Sequence, residues 1–231
     1  MMNEYVEVNG NIVHRTAVID KDVEIGVGNS FGPHTIVAKG TIIGDRNKFY
    51  SNVVIGSDPE IRGYSPQEVQ GVEIGSDNVF REFVVVNNGS HQNTRIGNDC
   101  FLQRSVHVGH DCIVGHSVTI STSSVLAGHV EIHSFATLGM LAAIHQRTAV
   151  GVGSMVGMAC AVRRNVKDFL TVMGDPAREI GLNRRKIEQL GLEISEVRKW
   201  IQEGQVGITK KSRLTELVAL DSAYFNETRH L

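Results

Sequence analysis

Residues 96–162 read IGNDCFLQRSVHVGHDCIVGHSVTISTSSVLAGHVEIHSFATLGMLAAIHQRTAVGVGSMVGMACAV. Stepping by six from Ile96 meets Leu102, Val108, Val114, Ile120, Leu126, Ile132, Leu138, Ile144, Val150, Val156 and Val162, all of them aliphatic. A period of six cannot hold one face of a 3.6-residue helical turn, so the run is not helix. It is the period of a β-solenoid, in which each turn sends one apolar side chain inward. The residue after the aliphatic is often small, as at Gly97, Gly109, Gly115, Ala127, Gly139, Gly151 and Gly157. A tight bend directly behind the inward residue is the expected reason. The same ladder runs upstream from Val13 through Ile19, Ile25, Phe31, Val37, Ile43 and Phe49 to Ile55, and again over Ile74, Phe80 and Val86. It breaks twice, which predicts loop excursions at residues 56–73 and 87–95. Excursions from a rigid solenoid commonly build a binding face.

These repeats resemble the left-handed parallel β-helix, in which three hexapeptides make one triangular coil of eighteen residues. That resemblance implies an all-β solenoid with a column of aliphatics as its core, over residues 1–172. A core of this kind agrees with an aromatic content of only 6% and with 24 glycines. Beyond "GDPAREIG" the spacing turns helical: Ile187, Leu190, Ile194, Val197, Trp200 and Ile201 share a face, and Gly204 is a stop signal. A small C-terminal α-helical domain is therefore expected over residues 173–231. The net charge of −2, from 23 basic and 25 acidic residues, gives no reason to expect a nucleic-acid or anionic-membrane partner. Cys100, Cys112 and Cys160 are odd in number and have no metal-like spacing, so reduced thiols and a cytoplasmic location are expected. No apolar run is long enough to span a membrane, and the N-terminus does not read as a secretory signal.

An eighteen-residue coil places residues eighteen apart on neighbouring strands, about 4.8 Å from each other. His110 then lies under Gly128 and Gln146, and Asp111 under His129 and Arg147. These residues, with His145, form one patch on one edge of the prism, and His107 belongs to the adjoining strand. An imidazole with a carboxylate beside it is suited to general-base work near neutrality. Gly128 has no side chain to obstruct approach, and its N–H can receive the oxyanion of an attacked thioester carbonyl. His14, His34, His116 and His133 are read as solvated polar residues.

The run H-x-x-H-D-C-x-x-G at 107–115, L-A-G-H-V at 126–130, A-x-H-Q at 143–146 and the segment GDPAREIGLN at 174–183 resemble one family closely. It is the acyl-carrier-protein-dependent UDP-N-acetylglucosamine 3-O-acyltransferase family of lipid A biosynthesis. The resemblance implies His110 as catalytic base, Asp111 as its carboxylate and Gly128 as oxyanion donor. It also implies His107, His129, His145, Gln146 and Asn183 as residues lining the substrate cleft, and a homotrimer with active sites between subunits. Where the family carries VGG, this chain has Met158 in the last place, so a shorter acyl group is expected. The acceptor side departs from the family: "PEIRGY" stands for its acceptor loop, and Val86, Asn87, Asn88 and Gly89 for its I-H-R-G. The donor can thus be an acyl carrier protein or acyl-CoA, and the acceptor a sugar hydroxyl or the amine of a nucleotide-linked amino sugar. A non-catalytic trimeric scaffold is the reading from another class. Some hexapeptide solenoids bind zinc through three histidines, but the H-x4-H pair of that family is missing, so neither a metal nor a cofactor is expected.

Overall fold

The computed structural model describes residues 4–65, 70–203 and 212–229. The helix stop expected at Gly204 lies outside them. Short strands, most of two residues, pass in turn through three parallel sheets, so the chain winds as a triangular solenoid. The inward residues of the first face run from Phe31, Phe49 and Phe80 to Leu102, Ile120, Leu138, Val156 and Val172. Val37, Ile55, Val86, Val108, Leu126, Ile144 and Val162 line the second face, and Ile43, Ile74, Ile96, Val114, Ile132 and Val150 the third. Together they form one continuous buried column. Two-residue strands cannot be stable singly. Each is held by its neighbours on the coils above and below, so stability is shared along the stack.

The register reports the excursions directly. Leu102 pairs with Ile120 and Ile120 with Leu138, eighteen residues apart each time. Phe49 pairs with Phe80, thirty-one residues on, and Phe80 with Leu102, twenty-two residues on. The extra length leaves the prism after Ser57 and returns at Val72, then leaves after Asn87 and returns at Thr94. The rings of Phe31, Phe49 and Phe80 stack at 4.9 and 4.8 Å, filling the core where the early coils use aromatics.

One expectation about the repeat needs correction. The tight bend is not at the small residue behind the aliphatic but two positions further on. Asp99, Ser105, Asp111, Ser117, Ser123, His129 and Phe135 all have φ between 58° and 65° or slightly below, at 54° for Ser117. The small residue is required by close approach of the next coil: a β-carbon on Gly109 would sit 2.7 Å from the Leu126 carbonyl oxygen, and one on Gly139 2.7 Å from the Met158 nitrogen.

The solenoid ends are closed by antiparallel pairs, Tyr5–Val8 with Asn11–His14 at the start and Leu170–Met173 with Arg178–Leu182 at the end. Strand structure thus continues past residue 172. Helices follow at Arg184–Gln189 (α1), Ile194–Glu203 (α2) and Arg213–Arg229 (α3). Ile187, Val197, Trp200 and Leu214 share a buried cluster with Val152 and Phe169 of the last coils. The helices therefore pack onto the solenoid, and α3 continues along the corner that follows the third face, where Tyr224 Oη donates to the Val114 carbonyl.

Candidate active site

The corner that follows the second face gathers most of the expected site residues. His107 and Val108 pair with Val125 and Leu126, which pair with Ala143 and Ile144, so His110, Gly128 and Gln146 fall in one column and Asp111, His129 and Arg147 in the next. Backbone bonds tie the bends together: His129 N–H donates to the His110 carbonyl at 2.9 Å and Arg147 N–H to the Gly128 carbonyl at 3.1 Å.

Asp111 is fully buried and takes five donors. Its Oδ1 accepts the backbone N–H groups of Ser90, His91 and Gln92 at 2.9, 2.7 and 2.9 Å. Its Oδ2 accepts Ser90 Oγ at 2.7 Å and His110 Nδ1 at 2.6 Å. Burial alone would push this carboxyl up, but the donors from Gln92, His110, His91 and Ser90 outweigh it and hold the carboxyl far below the usual range. An ionised Asp111 accepts a hydrogen bond from His110 Nδ1–H, which leaves Nε2 as the lone-pair nitrogen, the arrangement of a general base.

The His110 ring lies where a side chain on Gly128 would otherwise be. A β-carbon on Gly128 would collide with His110 Cε1 and Nε2. Glycine at 128 is therefore what lets the imidazole fold across the column. At the corner after the third face, side chains cap the equivalent backbone N–H groups: His116 Nδ1 accepts from Asn98 at 2.9 Å, Ser134 Oγ from His116 at 2.9 Å, and Asp221 Oδ1 from Ser134 at 2.7 Å. At the corner of His110, no acceptor among the described residues takes the Gly128 N–H. A donor left open beside the base is suited to a developing oxyanion.

His129 stands edge-on to His110, ring centroids 5.2 Å apart, with Nε2 3.5 Å from Asp111 Oδ2. Burial lowers the affinity of His129 for a proton; Asp111 opposes this, while Arg147, His110 and His91 add to it. His107 reaches toward the first excursion, with Nε2 3.9 Å from Glu60 Oε2. His145 and Gln146 are exposed on the coil above, joined by His145 Nδ1 to the Gln146 carbonyl at 3.1 Å. Two expected cleft residues are not brought to His110 within the chain. Met158, 60% exposed, lies on the corner after the first face. Asn183 caps α1, accepting from Lys186 N–H at 3.3 Å and donating to the Gly153 carbonyl at 2.9 Å.

The reading of His14, His116 and His133 as solvated does not hold. His14 is buried against Thr16 and Glu4. His116 caps a backbone N–H and packs on Tyr224, and His133 Nδ1 lies 2.6 Å from Asp221 Oδ2. Sequence reasoning also missed Ser90, His91 and Gln92. They sit in the second excursion, whose extra residues turn three successive N–H groups onto Asp111. His91, Asp111 and His129 each offer a ligand atom within 4.8 Å of the others. Five donors already fill the acceptor capacity of Asp111, so a cation there would have to displace the bonds that orient His110.

A family model described as bacterial transferase hexapeptide (six repeats) matches residues 93–128. An acyl-[acyl-carrier-protein]–UDP-N-acetylglucosamine O-acyltransferase from Syntrophobacter fumaroxidans is 38% identical over 176 residues, 74% of this chain and 68% of the relative. The enzyme of the same name from Campylobacter concisus is 30% identical over 91% of this chain and 89% of its own length. Among solved structures, a UDP-N-acetylglucosamine acyltransferase from Campylobacter jejuni superposes with a TM-score of 0.72 at 26% identity, covering 90% of each chain. Repeat, register and relatives agree: this chain is an acyltransferase and belongs to the acyl-[acyl-carrier-protein]–UDP-N-acetylglucosamine O-acyltransferase family.

Proposed function

We propose that this chain moves an acyl group from the phosphopantetheine thioester of an acyl carrier protein to a hydroxyl of a UDP-N-acetylglucosamine-type nucleotide sugar. His110 Nε2 takes the hydroxyl proton as the oxygen attacks the thioester carbonyl. The Gly128 N–H holds the oxyanion of the tetrahedral intermediate. Its collapse breaks the carbon–sulfur bond, and the imidazolium returns the proton to the departing thiolate. No covalent enzyme intermediate, metal or cofactor is required.

The observation that carries this reading is the 2.6 Å bond from His110 Nδ1 to Asp111, whose carboxylate is pinned by four further donors. It presents one basic nitrogen beside a bare glycine. The active unit is a trimer of left-handed prisms, and this rests on the family membership. In such a trimer Met158 of one chain fills the far end of the acyl groove formed with another, which favours a shorter acyl group.

The test is a panel of acyl carrier protein thioesters and acyl-CoAs against nucleotide sugars with a 3-hydroxyl or a 3-amine, with products identified by mass spectrometry. His110→Ala is expected to lower kcat on the order of 10²–10⁴-fold, and Met158→Gly to shift the preferred chain to greater length. Retained activity in His110→Ala removes the base assignment. Transfer to the amine alone makes the chain an N-acyltransferase.

A further inference from the structure

Four arginines on the solenoid each hold a carboxylate. Arg46 is 2.7 Å from Asp77, Arg81 3.0 Å from Glu82, Arg95 3.0 Å from Glu73 and Arg163 3.0 Å from Asp175. Arg147, like Arg104 and Arg164, is not among them. Among the described residues, no carboxylate lies within ion-pair distance of it. Yet it stands at the bend of the catalytic corner, φ 59°, one coil above His129 and two above Asp111. With His91 and His129 it lines a cleft of about 500 Å³ that opens from the catalytic corner onto the third face.

The charges in this cleft do not balance. The guanidinium is always protonated, and the rings of His91 and His129 can each offer an N–H donor. Two carboxylates oppose them. Asp111 is saturated by its five donors, and Glu131 has Oε2 3.8 Å from His133 Nε2, toward the next corner. His91, 76% exposed at its side chain, is held over the cleft by its own N–H bond to Asp111 and by Ser90 Oγ at 2.8 Å. His129 is depressed in proton affinity by burial first, against the pull of Asp111, and Arg147, His110 and His91 add to the depression, a disfavour that a bound anion would relieve.

The geometry points to a phosphate subsite in this cleft: Arg147, with His91 and His129, receives a phosphate group of a substrate and so sets the position of its reacting end against His110. The inference rests on the acyl-transfer reading, in which both substrates carry phosphate. One source is the diphosphate of the nucleotide sugar, the other the phosphate of phosphopantetheine. A planar guanidinium can engage either through two parallel N–H bonds, which an ammonium cannot reproduce.

Equilibrium binding of UDP and of 4′-phosphopantetheine, measured by titration calorimetry on the full chain, tests this without turnover. Arg147 is exposed, so Arg147→Gln and Arg147→Lys are expected to keep the parent's thermal midpoint. Arg147→Gln is expected to weaken one of the two ligands about tenfold, about 1.4 kcal/mol, and Arg147→Lys to restore part of the loss. Weakened UDP assigns the subsite to the acceptor, and weakened phosphopantetheine assigns it to the donor. Affinities within twofold of the parent for both ligands, or a parent that binds neither, overturn the subsite. A chain that binds phosphate through Arg147 but transfers no acyl group keeps the subsite and loses the reaction. An active parent with Arg147-independent binding does the reverse.

Discussion

Asp111 makes its contribution as a fixed charge. Burial works against the ionised form and the donors from Gln92, His110, His91 and Ser90 overcome it, so the carboxyl stays charged well below the ordinary range. Its stabilising effect is complete above the unfolded value of about 3.9 and is lost only as pH falls through the lowered folded value. Between pH 5 and 8 it therefore holds the His110 tautomer without titrating. Asp111→Asn keeps the shape and reverses the polarity. The amide oxygen can take the three backbone N–H groups, but the NH₂ then faces Ser90 Oγ and His110 Nδ1. An NH₂ donating to Nδ1 leaves the proton on Nε2, where the base should be. A fall in kcat on the order of 10²–10⁴-fold, with the thermal midpoint shifted by only a few degrees, is the expected outcome; ring ¹⁵N shifts of His110 would report the tautomer change. A variant with parental kcat would show that the tautomer is irrelevant. The pair His110 and Asp111, and Gly128 above it, were legible because eighteen-residue arithmetic stacks them. Ser90, His91 and Gln92 were not, because they lie in residues that leave the period, where no register relation survives.

At the scale of elements, α3 is held to the solenoid by one buried ion pair with an apolar surround. His133 Nδ1 meets Asp221 Oδ2 at 2.6 Å, Asp221 Oδ1 accepts the Ser134 N–H at 2.7 Å, and Phe225 stacks on the His133 ring at 4.1 Å. Burial disfavours the imidazolium, but the hydrogen bond and charge of Asp221 overcome it, with Asp168 and Glu131 adding, and raise His133 above its ordinary value. Burial likewise disfavours the Asp221 carboxylate, and His133 and Ser134 reverse that and lower it. The imidazolium's share of the docking energy is thus full below the unfolded histidine value of about 6.5 and lost as pH rises through the raised folded value. The carboxylate's share is lost only as pH falls through its lowered one. Amide exchange in α3 is expected to be slowest near pH 5–6 and to quicken, after correction for intrinsic rates, as pH rises from 7 to 9. His133→Gln should remove that dependence and leave α3 faster throughout; a pH-independent α3 in the parent would rule the latch out. Helical spacing announced a helical C-terminal segment and gave no sign of where α3 docks. The two halves of the latch are 88 residues apart in the chain, one in the periodic part and one outside it.

For the molecule as a whole, the fold was readable because a solenoid repeats one local rule. The inward ladder is aliphatic in almost every coil, and the two interruptions in sequence became the two places where the pairing jumps by thirty-one and by twenty-two residues. What the ladder does not encode is the outer surface, since the inward period does not constrain the outward positions. That surface has a pattern of its own. On the second face the outward residues are Val18, Ile36, Val54, Val85, Val125, Ala143 and Ala161, interrupted by His107. The third face instead presents Glu24, Ile42, Glu73, Arg95, Ile113, Glu131 and Ala149, with charges interspersed. An apolar stripe runs along this face of the prism, with Val18 62% and Val125 45% exposed, and a contiguous exposed apolar patch marks an interaction surface. Packing it against copies of itself around a threefold axis would cover it, and would also bring the corner of one chain that carries Met158 toward the corner of another that carries His110. Val125→Glu puts a charge at the middle of that stripe, on a side chain that makes no contribution to the core of its own prism. The expected result is a smaller particle by analytical ultracentrifugation, an unchanged far-ultraviolet circular dichroism spectrum, and activity that falls together with the trimer fraction as the protein is diluted. Full activity in a Val125→Glu monomer would place the whole active site within one chain and refute the shared cleft.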